Sequence, residues 1–502
     1  MSSAFLSSAR QATGADQKRD PAASGAQSIW PVLAVTLAGL ALRLFYLNHE
    51  SVGFDEAFSI AACRASMAEM MRRLIADFVH PPLHYLVLRG WLGIFGSNIL
   101  AARMLSVLFG TLAIPLLYLF ARYLFDRRTA WLASMLLAIS QIEIMFAQEA
   151  RPYAQFLFFF LACCYLFTRA LYERNGSLWC GSVGMAILLI YTHYFGLFVL
   201  GALALFALVY RKQYSVPLGW WIAAAAVTAL AYLPWLTSGI FQAAAHAPKT
   251  FSGKNSYWSV GGSTFFTAMN FFSNGKPTGL LGSSPLWTIF GGGTLFVAPA
   301  AFAFYAARGK AERRNAVLAA MLWVLPVLAA VAAGLAHFQY NVRYVAFCAA
   351  PYYILVGRGI AALKPAAVRA LLIVLLVAYT ANSLRANYFM PRKEDFRGTG
   401  AYIRQNLQPG DCAVFYPGFA TPQQWNITQG DVPGLRVLHR DDFASGVNAC
   451  GRVWAVTWSI SGNPWQLSRA VAERQELETT HAKIGGKDFF WVHVGLYSRK
   501  QP

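Results

Sequence analysis

The sequence predicts a mainly α fold, a polytopic transmembrane helical bundle with a small α/β domain at the C-terminal end. Two observations predict the bundle: 57% of the 502 residues are hydrophobic and only 13% are charged. Soluble globular chains carry roughly 25% charged residues, so a chain of this composition needs a bilayer as its solvent. A third observation predicts the small domain, because beyond about residue 386 the long apolar runs give way to short ones.

Long apolar runs recur along the first three quarters of the chain, and most approach the roughly 20 residues of a membrane span. The shorter stretch 82–95 is ambiguous, because it could cross the membrane or lie at its surface. Without it we count eleven spans, at 30–47, 100–122, 130–147, 153–171, 178–193, 195–210, 218–236, 286–307, 315–336, 343–361 and 366–385.

The basic residues of the short loops decide how 82–95 is placed. If it stays outside, the basic loops fall on the cytoplasmic side together with the polar N-terminal tail 1–29, which we expect to be disordered. If it crosses, every later basic loop turns outward. We therefore expect a transmembrane domain over 30–386, with external loops at 48–99 and 237–285, in a bacterial inner membrane.

The last part of the chain, 387–502, then lies in the periplasm. Strand-like runs such as Val453–Trp458 alternate there with amphipathic helical stretches, as expected for an α/β domain of about 115 residues. Cys412 and Cys450 could form a disulfide bond in that oxidising compartment. The formal net charge of +20 does not indicate nucleic acid, because no basic stretch alternates with aromatic residues; it fits basic loops facing anionic lipid headgroups.

Asp55 and Glu56 are the first candidates for chemistry, because they follow the outer end of the first span among apolar and aromatic residues. Adjacent carboxylates in such surroundings have a raised proton affinity, so one of them could act as a general base. The alternative is that they only favour the start of a helix near Ser59, and residue type alone does not separate the two interpretations.

His80 begins the segment His80-Pro81-Pro82-Leu83 in the first external loop. The two prolines restrain the backbone and allow a helix to begin at Pro82, which places His80 at a helix start suited to a phosphate. A simple turn between two interfacial helices explains the same residues equally well.

Three arginines lie on the outer side of this topology, against the positive-inside trend: Arg103, Arg151 and Arg343. An arginine at the membrane surface needs a partner, and a lipid-linked phosphate is one, because a guanidinium binds phosphate through paired hydrogen bonds. Tyr153 follows Arg151 closely and completes this set. Ion pairing with the loop carboxylates is the structural alternative. Tyr257 and Trp258, in the second external loop, could stack on sugar rings.

Six motifs follow one another in the chain: Phe54-Asp55-Glu56-Ala57, His80-Pro81-Pro82-Leu83, Phe95-Gly96-Ser97 before Arg103, Gln148-Glu149-Ala150-Arg151-Pro152-Tyr153, Arg343-Tyr344, and Lys393-Glu394-Asp395-Phe396-Arg397 with Pro409-Gly410-Asp411. In these motifs the chain resembles the C-type glycosyltransferases, and among them the bacterial enzymes similar to protein O-mannosyltransferases and lipid A aminoarabinose transferases. The aminoarabinose transferases have an acidic and a basic residue where this chain has His80-Pro81.

The resemblance implies an inverting glycosyltransferase that moves a sugar from a polyprenyl-phosphate donor to a lipid, glycan or protein acceptor. It implies Asp55 as the base and links Arg103 to the donor phosphate. We expect no cofactor, because too few carboxylates converge for a divalent metal and no nucleotide-binding glycine motif follows a strand. A transporter or flippase of a polyprenyl-linked glycan, or a glycan ligase, is the alternative.

Overall fold

The computed structural model describes most of the chain. Three expectations fall wholly or largely outside it: the disordered tail, the loop 237–285, and the ring-stacking residues Tyr257 and Trp258. The described residues are 29–214, 216–241, 291–335, 342–390, 393–416, 425, 432–438, 446–458 and 464–500.

Fifteen helices in the described residues precede the C-terminal domain. A π-helical stretch, Gly293–Val297, leads into α12, and the 3-10 helix Val342–Cys348 leads into α14. The helices are α1 Trp30–Leu44, α2 Phe54–Arg64, α3 Met67–Asp77, α4 Leu83–Phe95, α5 Ile99–Leu124, α6 Arg127–Ile139, α7 Gln141–Ala147, α8 Tyr153–Glu173, α9 Gly176–Thr192, α10 Gly196–Val209, α11 Leu218–Leu236, α12 Ala298–Ala306, α13 Lys310–Leu335, α14 Ala349–Ala362 and α15 Ala366–Phe389.

The helices support a multi-pass membrane protein. Six described helices are long and apolar enough to cross a bilayer, and a seventh span results if α6 and α7, bent by 57°, count together. The predicted total of eleven would also require shorter apolar helices to cross, and length and composition do not establish that. The bend falls at Ser140, which is extended and whose hydroxyl contacts the Tyr353 hydroxyl at 2.9 Å. The predicted run 130–147 is therefore two helices.

The core of the bundle forms where apolar faces of the long helices meet, and small residues allow the closest approaches. Gly359 in α14 is one such position, because a Cβ built there would lie 1.8 Å from the carbonyl oxygen of Pro299 in α12. Glycine alone permits this contact. The packing brings the chain before α2 and the chain around residue 150 to the same end of the bundle, which we call the Asp55 end.

The C-terminal domain is built on a five-stranded mixed sheet, as the sequence predicts for a small α/β domain. Its elements are α16 Phe396–Asn406, β1 Cys412–Tyr416, β2 Arg436–Val437, β3 Arg452–Trp458, α17 Pro464–Thr480, β4 His481–Phe489 and β5 Val492–Arg499. The strand order is β2-β1-β3-β5-β4; β1 pairs in parallel with β2 and β3, whereas β5 is antiparallel to β3 and β4. Cys412 and Cys450 form a disulfide bond with a Cα–Cα distance of 5.9 Å, as expected for cysteines of an oxidising compartment.

Candidate active site

Asp55 and Glu56 lie in the first turn of α2, where acidic residues stabilise a helix start. The helix begins at Phe54 after an extended Gly53, whose backbone N–H donates to Glu56 Oε2 at 3.3 Å. Successive helical side chains point about 100° apart. As a result Glu56 is buried, with a side chain only 1% exposed, whereas the Asp55 side chain is 42% exposed.

Arg103 and Glu56 form a buried, two-pronged ion pair. Arg103 Nε and Nη2 donate to the two carboxylate oxygens of Glu56, both at 2.9 Å. The remaining N–H groups donate to backbone carbonyl oxygens of Leu47 at 2.8 Å, Glu50 at 3.2 Å and Ser51 at 3.1 Å. A guanidinium has five N–H donors, so this geometry leaves Arg103 none for a phosphate. The expected role of Arg103 as a phosphate ligand therefore does not fit this geometry.

Glu56 is equally saturated. Besides Arg103 and Gly53, its oxygens accept hydrogen bonds from the Ala150 backbone N–H at 3.0 Å and from Lys393 Nζ at 2.8 Å. Burial alone would raise its pKa, but the charges of Arg103 and Lys393 outweigh burial, and the pKa of Glu56 lies well below its usual value. A saturated, strongly acidic carboxylate is a poor base. The expectation that Glu56 assists as a base does not fit this geometry either.

Lys393 is a site residue that the sequence analysis did not identify. Its ammonium bridges Glu56 Oε2 at 2.8 Å and Glu149 Oε1 at 3.1 Å, and its side chain is only 12% exposed. In the sequence it stands only within the motif Lys393-Glu394-Asp395-Phe396-Arg397, one of those that carry the family resemblance. Because Lys393 and Glu56 are 337 positions apart, no local pattern could have joined them.

Asp55 faces a different environment, in which its carboxylate contacts Arg343. Arg343 Nη1 donates to Asp55 Oδ2, and the Arg343 side chain is 33% exposed, so the pair lies at an opening. Burial favours the protonated acid, but the positive charges of Arg151 and Arg343 prevail and hold the pKa of Asp55 below its usual value. Asp55 is therefore ionised at neutral pH and can accept a proton.

Arg151 lies behind Asp55 and is buried, at 4% exposure. Its Nη1 donates to the Asp55 carbonyl oxygen at 3.0 Å and to Ser59 Oγ at 3.2 Å. Its Nη2 lies 3.4 Å from His80 Nδ1, and its Cζ lies 5.9 Å from the ring centroid of Tyr153. Arg151 thus connects α2, the His80 turn and the start of α8, and its positive charge lies close to Asp55.

His80 forms a buried ring cluster with residues from three other segments. Its ring centroid lies 6.1 Å from Tyr153, 5.2 Å from His193 and 6.3 Å from Tyr344. Burial, reinforced by Arg151, keeps the pKa of His80 well below its ordinary value, so the imidazole is neutral and adds no charge to a phosphate site. His193 lies in the polar break between α9 and α10. The break is visible in the sequence, but His193 was not predicted to be a site residue.

Asp77 is a second carboxylate near Asp55 that the sequence did not single out. Asp77 is the last residue of α3, and in the sequence an acidic residue at a helix end suggests only a solvated position. Burial is the main reason that its pKa rises to about 6, and the negative charge of Asp55 adds to the rise, although Arg151 opposes both. The backbone N–H of Val79 donates to Asp77. Asp77 therefore holds its proton more tightly than an exposed aspartate.

The site therefore separates two kinds of charged group. Glu56, Arg103 and Lys393 are buried and paired to one another, whereas Asp55 and Arg343 meet at an opening with Arg151 behind them. Among the residues that the structure describes, no group of three or more histidine, cysteine, aspartate or glutamate side chains could hold a metal ion. An ionised carboxylate beside two guanidinium groups can accept a proton while the cations stabilise an anionic leaving group.

The sequence matches the model of the dolichyl-phosphate-mannose-protein mannosyltransferase family over residues 79–240. This range contains His80, Arg103, Arg151 and Tyr153, and lies between Asp55 and Arg343. No curated protein matches the sequence.

Solved structures extend the similarity to almost the whole chain. ArnT from Cupriavidus metallidurans in the apo state aligns with a TM-score of 0.58 and 14% identity, over 93% of this chain and 97% of that one. The same protein bound to undecaprenyl phosphate aligns with a TM-score of 0.57 and 13% identity, over 94% and 98%.

The archaeal oligosaccharyltransferase AglB from Archaeoglobus fulgidus, in complex with an inhibitory peptide and a dolichol-phosphate, aligns with a TM-score of 0.54 and 14% identity, over 94% of this chain and 74% of that one. At sequence identities this low, the structural similarity establishes the fold alone. The chain has the C-type glycosyltransferase fold and resembles the protein O-mannosyltransferases and the aminoarabinose transferases.

Proposed function

We propose that this chain is an inverting membrane glycosyltransferase that moves a sugar from a polyprenyl-phosphate donor to an acceptor hydroxyl. The observation that carries the proposal is the pair formed by Asp55 and Arg343, a half-exposed carboxylate and guanidinium in contact at the Asp55 end of the bundle. The mannosyltransferase model and the undecaprenyl phosphate bound by the structurally similar ArnT support the same class of donor.

The reaction is one displacement at the anomeric carbon of the donor sugar. Asp55 takes the proton of the acceptor hydroxyl, the acceptor oxygen forms the new bond to the anomeric carbon, and the bond from that carbon to the phosphate oxygen breaks. The polyprenyl phosphate leaves with the bonding electron pair. Arg343 and Arg151 stabilise its negative charge as it develops.

Arg343 has a double role in this scheme. In the structure it contacts Asp55, which keeps the carboxylate acidic and a weak base. The negative charge of an arriving phosphate offsets that of the guanidinium, so the proton affinity of Asp55 rises when the donor binds. The donor itself therefore strengthens the base that activates the acceptor.

Glu56, Arg103 and His80 act in the proposal through other residues. Arg103 holds Glu56 and three backbone carbonyls, which orients the start of α2 and hence Asp55. Neutral His80, beside Arg151 Nη2, restrains that guanidinium, and Tyr153 packs against it. We place the Asp55 end and the C-terminal domain on the periplasmic face of a bacterial inner membrane, with a lipid, glycan or protein as acceptor and without a required cofactor.

The test begins with donor recognition. Purified protein in nanodiscs should bind undecaprenyl phosphate, measured by native mass spectrometry, and Arg343→Gln should weaken binding about tenfold or more through the lost charge-assisted contact. Arg358→Gln, at the far end of α14, is the matched control and should bind as wild type does. Equal binding by both variants would contradict the assignment of Arg343.

Turnover then separates the enzyme from a transporter. Mass spectrometry of membrane lipids and surface glycans, with and without the gene, should reveal one missing sugar. Incubation of the purified protein with that polyprenyl-phosphate sugar and its acceptor should release free polyprenyl phosphate. A flippase would leave the sugar–phosphate bond intact.

A further inference from the structure

The C-terminal domain contacts the first loop of the bundle through Arg397, in the first turn of α16. The backbone N–H of Arg397 donates to Ser51 Oγ at 3.2 Å, and its guanidinium donates to Asn48 Oδ1 at 2.8 Å and to the His49 carbonyl oxygen at 3.3 Å. These partners lie in the turn between α1 and α2. The domain therefore contacts the chain that leads directly to Asp55.

A second contact reaches the residue beside Asp55. The rings of Phe54, the first residue of α2, and Trp458, the last residue of β3, stack with centroids 6.0 Å apart and an interplanar angle of 28°. Trp458 is itself held by its indole N–H, which donates to Glu394 Oε1 at 2.9 Å. The C-terminal domain thus contacts α2 at Phe54, the residue before Asp55, as well as the turn that precedes α2.

Lys393 adds a charge to this interface. Without it, the cluster of the buried Glu56 and Arg103 with Glu149, whose side chain is 17% exposed, holds two carboxylates and one guanidinium, and its net charge is negative. With Lys393 the cluster is neutral, and the ammonium lies within 2.8 Å and 3.1 Å of the two carboxylates. Without Lys393, Arg103 would be the one cation facing two carboxylates, and an uncompensated charge in a largely buried cluster is unfavourable, so loss of Lys393 destabilises the packing that holds Glu56 at the start of α2.

We propose that Lys393 is a positioning residue of the transfer reaction: it links docking of the C-terminal domain to the placement of α2, and thereby of Asp55, by completing with Arg103 the neutralisation of the Glu56 and Glu149 carboxylates. The inference rests on the proposed function for its catalytic meaning. The contacts themselves depend on no substrate, so they can be tested separately.

The electrostatics point in the same direction. The ammonium of Lys393 is one of the positive charges that lower the pKa of Asp55, after those of Arg151 and Arg343. Its loss should therefore raise the pKa of Asp55. Several titratable or charged groups face Asp55 or its buried neighbour Glu56: the cations Arg103, Arg151, Arg343, Lys393 and Arg397, the carboxylates Asp77 and Glu149, and the neutral His80, Tyr85, Tyr153 and Tyr344.

The experiment compares four variants of the full-length protein. Lys393→Met removes the charge and keeps much of the side-chain volume, and Lys393→Arg keeps the charge. Lys393→Met combined with Glu149→Gln removes one charge of each sign and restores neutrality. Lys483→Met, an exposed lysine of β4 in the same domain, is the matched control.

The first measurement is amide hydrogen exchange of peptides that cover residues 48–58, which requires no substrate. Lys393→Met should exchange about tenfold faster than wild type or more, because the uncompensated carboxylate destabilises the start of α2. The double variant should recover most of the protection, Lys393→Arg should recover part of it, and Lys483→Met should match wild type. A purely packing role for Lys393 predicts no recovery by Glu149→Gln.

The second measurement is the pH dependence of undecaprenyl phosphate binding. Protonation of Asp55 frees Arg343 for the phosphate, so binding tightens as pH falls through the pKa of Asp55. Lys393→Met should move this transition to higher pH, and the double variant should move it back.

Wild-type exchange in Lys393→Met, or a double variant as unprotected as the single one, overturns the proposal. If Lys393→Met does not fold, folding restored by Glu149→Gln supports the proposal and its absence contradicts it. If wild type itself binds no undecaprenyl phosphate, the proposed donor is wrong, while the exchange results still decide the role of Lys393.

Discussion

The two ends of the helical bundle use charged residues in opposite ways. Helix α5 has 26 residues and is roughly 39 Å long. Arg103 lies near its start, and Asp126 follows its end. At the Asp126 end, Arg358 contacts Asp126 at 3.4 Å and Glu312 at 2.9 Å, and these carboxylates are 43% and 37% exposed. At the Asp55 end, Glu56 and Arg103 are 1% and 2% exposed.

The difference shows which charges cost free energy to bury. Half-exposed carboxylates keep much of their hydration, and such pairs add little to stability. Glu56 and Arg103 have lost their hydration, and only a complete set of hydrogen-bonding and charged partners offsets the free energy of that loss. A buried cluster with complete hydrogen bonding lies beside the half-exposed pair of Asp55 and Arg343, and it fixes the start of the helix that carries both carboxylates.

The largest expected effect is the loss of turnover in Asp55→Asn. Asparagine keeps the shape and some hydrogen-bonding capacity but accepts no proton at neutral pH, so transfer should fall about 10²–10⁴-fold. The measurement is the initial rate of sugar transfer from the polyprenyl-phosphate donor, with expression and donor binding checked in parallel. Asp126→Asn changes a carboxylate at the other end and should keep the wild-type rate.

Wild-type turnover by Asp55→Asn would remove Asp55 as the base. The next carboxylate to test would then be Asp77, whose raised pKa suits proton transfer near neutral pH. Glu56 would not be the next choice, because its oxygens are occupied.

The second effect concerns stability and compares the arginines of the two ends. Arg103→Met leaves Glu56 buried with Lys393 as its remaining cationic partner and should destabilise the protein by about 3–5 kcal/mol. Arg358→Met breaks contacts to half-exposed carboxylates and should cost about 1 kcal/mol or less. Thermal unfolding of both variants in the same detergent measures the contrast. Equal losses would mean that the two ends do not differ in this way.

The sequence predicts the fold better than the site. Apolar runs identify the helices, because bilayer burial leaves a strong local signal, and Cys412 and Cys450 form the disulfide bond that the sequence suggested. The division of roles among the arginines is not predictable in this way. Arg103 and Arg343 both appear as outward-facing arginines beside apolar helices, yet one is saturated by backbone carbonyls and the other contacts a half-exposed carboxylate.

The same limit explains why Lys393 and Asp77 were missed. The partners of Lys393 lie in the first loop and at Glu149, and only tertiary packing brings them together. Asp77 owes its raised pKa mainly to burial, which the end of a short polar helix does not indicate. His193, by contrast, interrupts two apolar helices, and such polar breaks could have been given more weight.

A third prediction uses the pH dependence of Asp77. Its pKa of about 6, raised from 3.8, means that the folded protein binds this proton more tightly than the unfolded chain. The resulting stabilisation is complete below about pH 4 and is lost as pH rises through about 6. Asp77→Asn should therefore raise the melting temperature at about pH 7.5, with a gain of up to about 3 kcal/mol in the free energy of unfolding, and change it little at about pH 4. Equal shifts at both pH values would contradict the raised pKa.

The smallest expected effect is at Arg169, which pairs with Glu173 one turn later at 2.8 Å, with side chains 33% and 36% exposed. Arg169→Met should cost only about 0.3–0.5 kcal/mol, and added salt should shrink the difference further. Thermal unfolding at low and high ionic strength measures both quantities. A loss as large as that of Arg103→Met would show that exposure does not separate the two classes of ion pair.

The long interval between Glu56 and Lys393 also has a consequence for how the protein is made. At a synthesis rate of about 5–20 residues per second, the 337 positions between them take roughly 17–67 s to translate. During that interval the first loop is already outside the ribosome, but the cation that completes its carboxylate cluster has not been made. A nascent chain therefore carries an incomplete charge cluster at the Asp55 end until the start of its last domain has been synthesised.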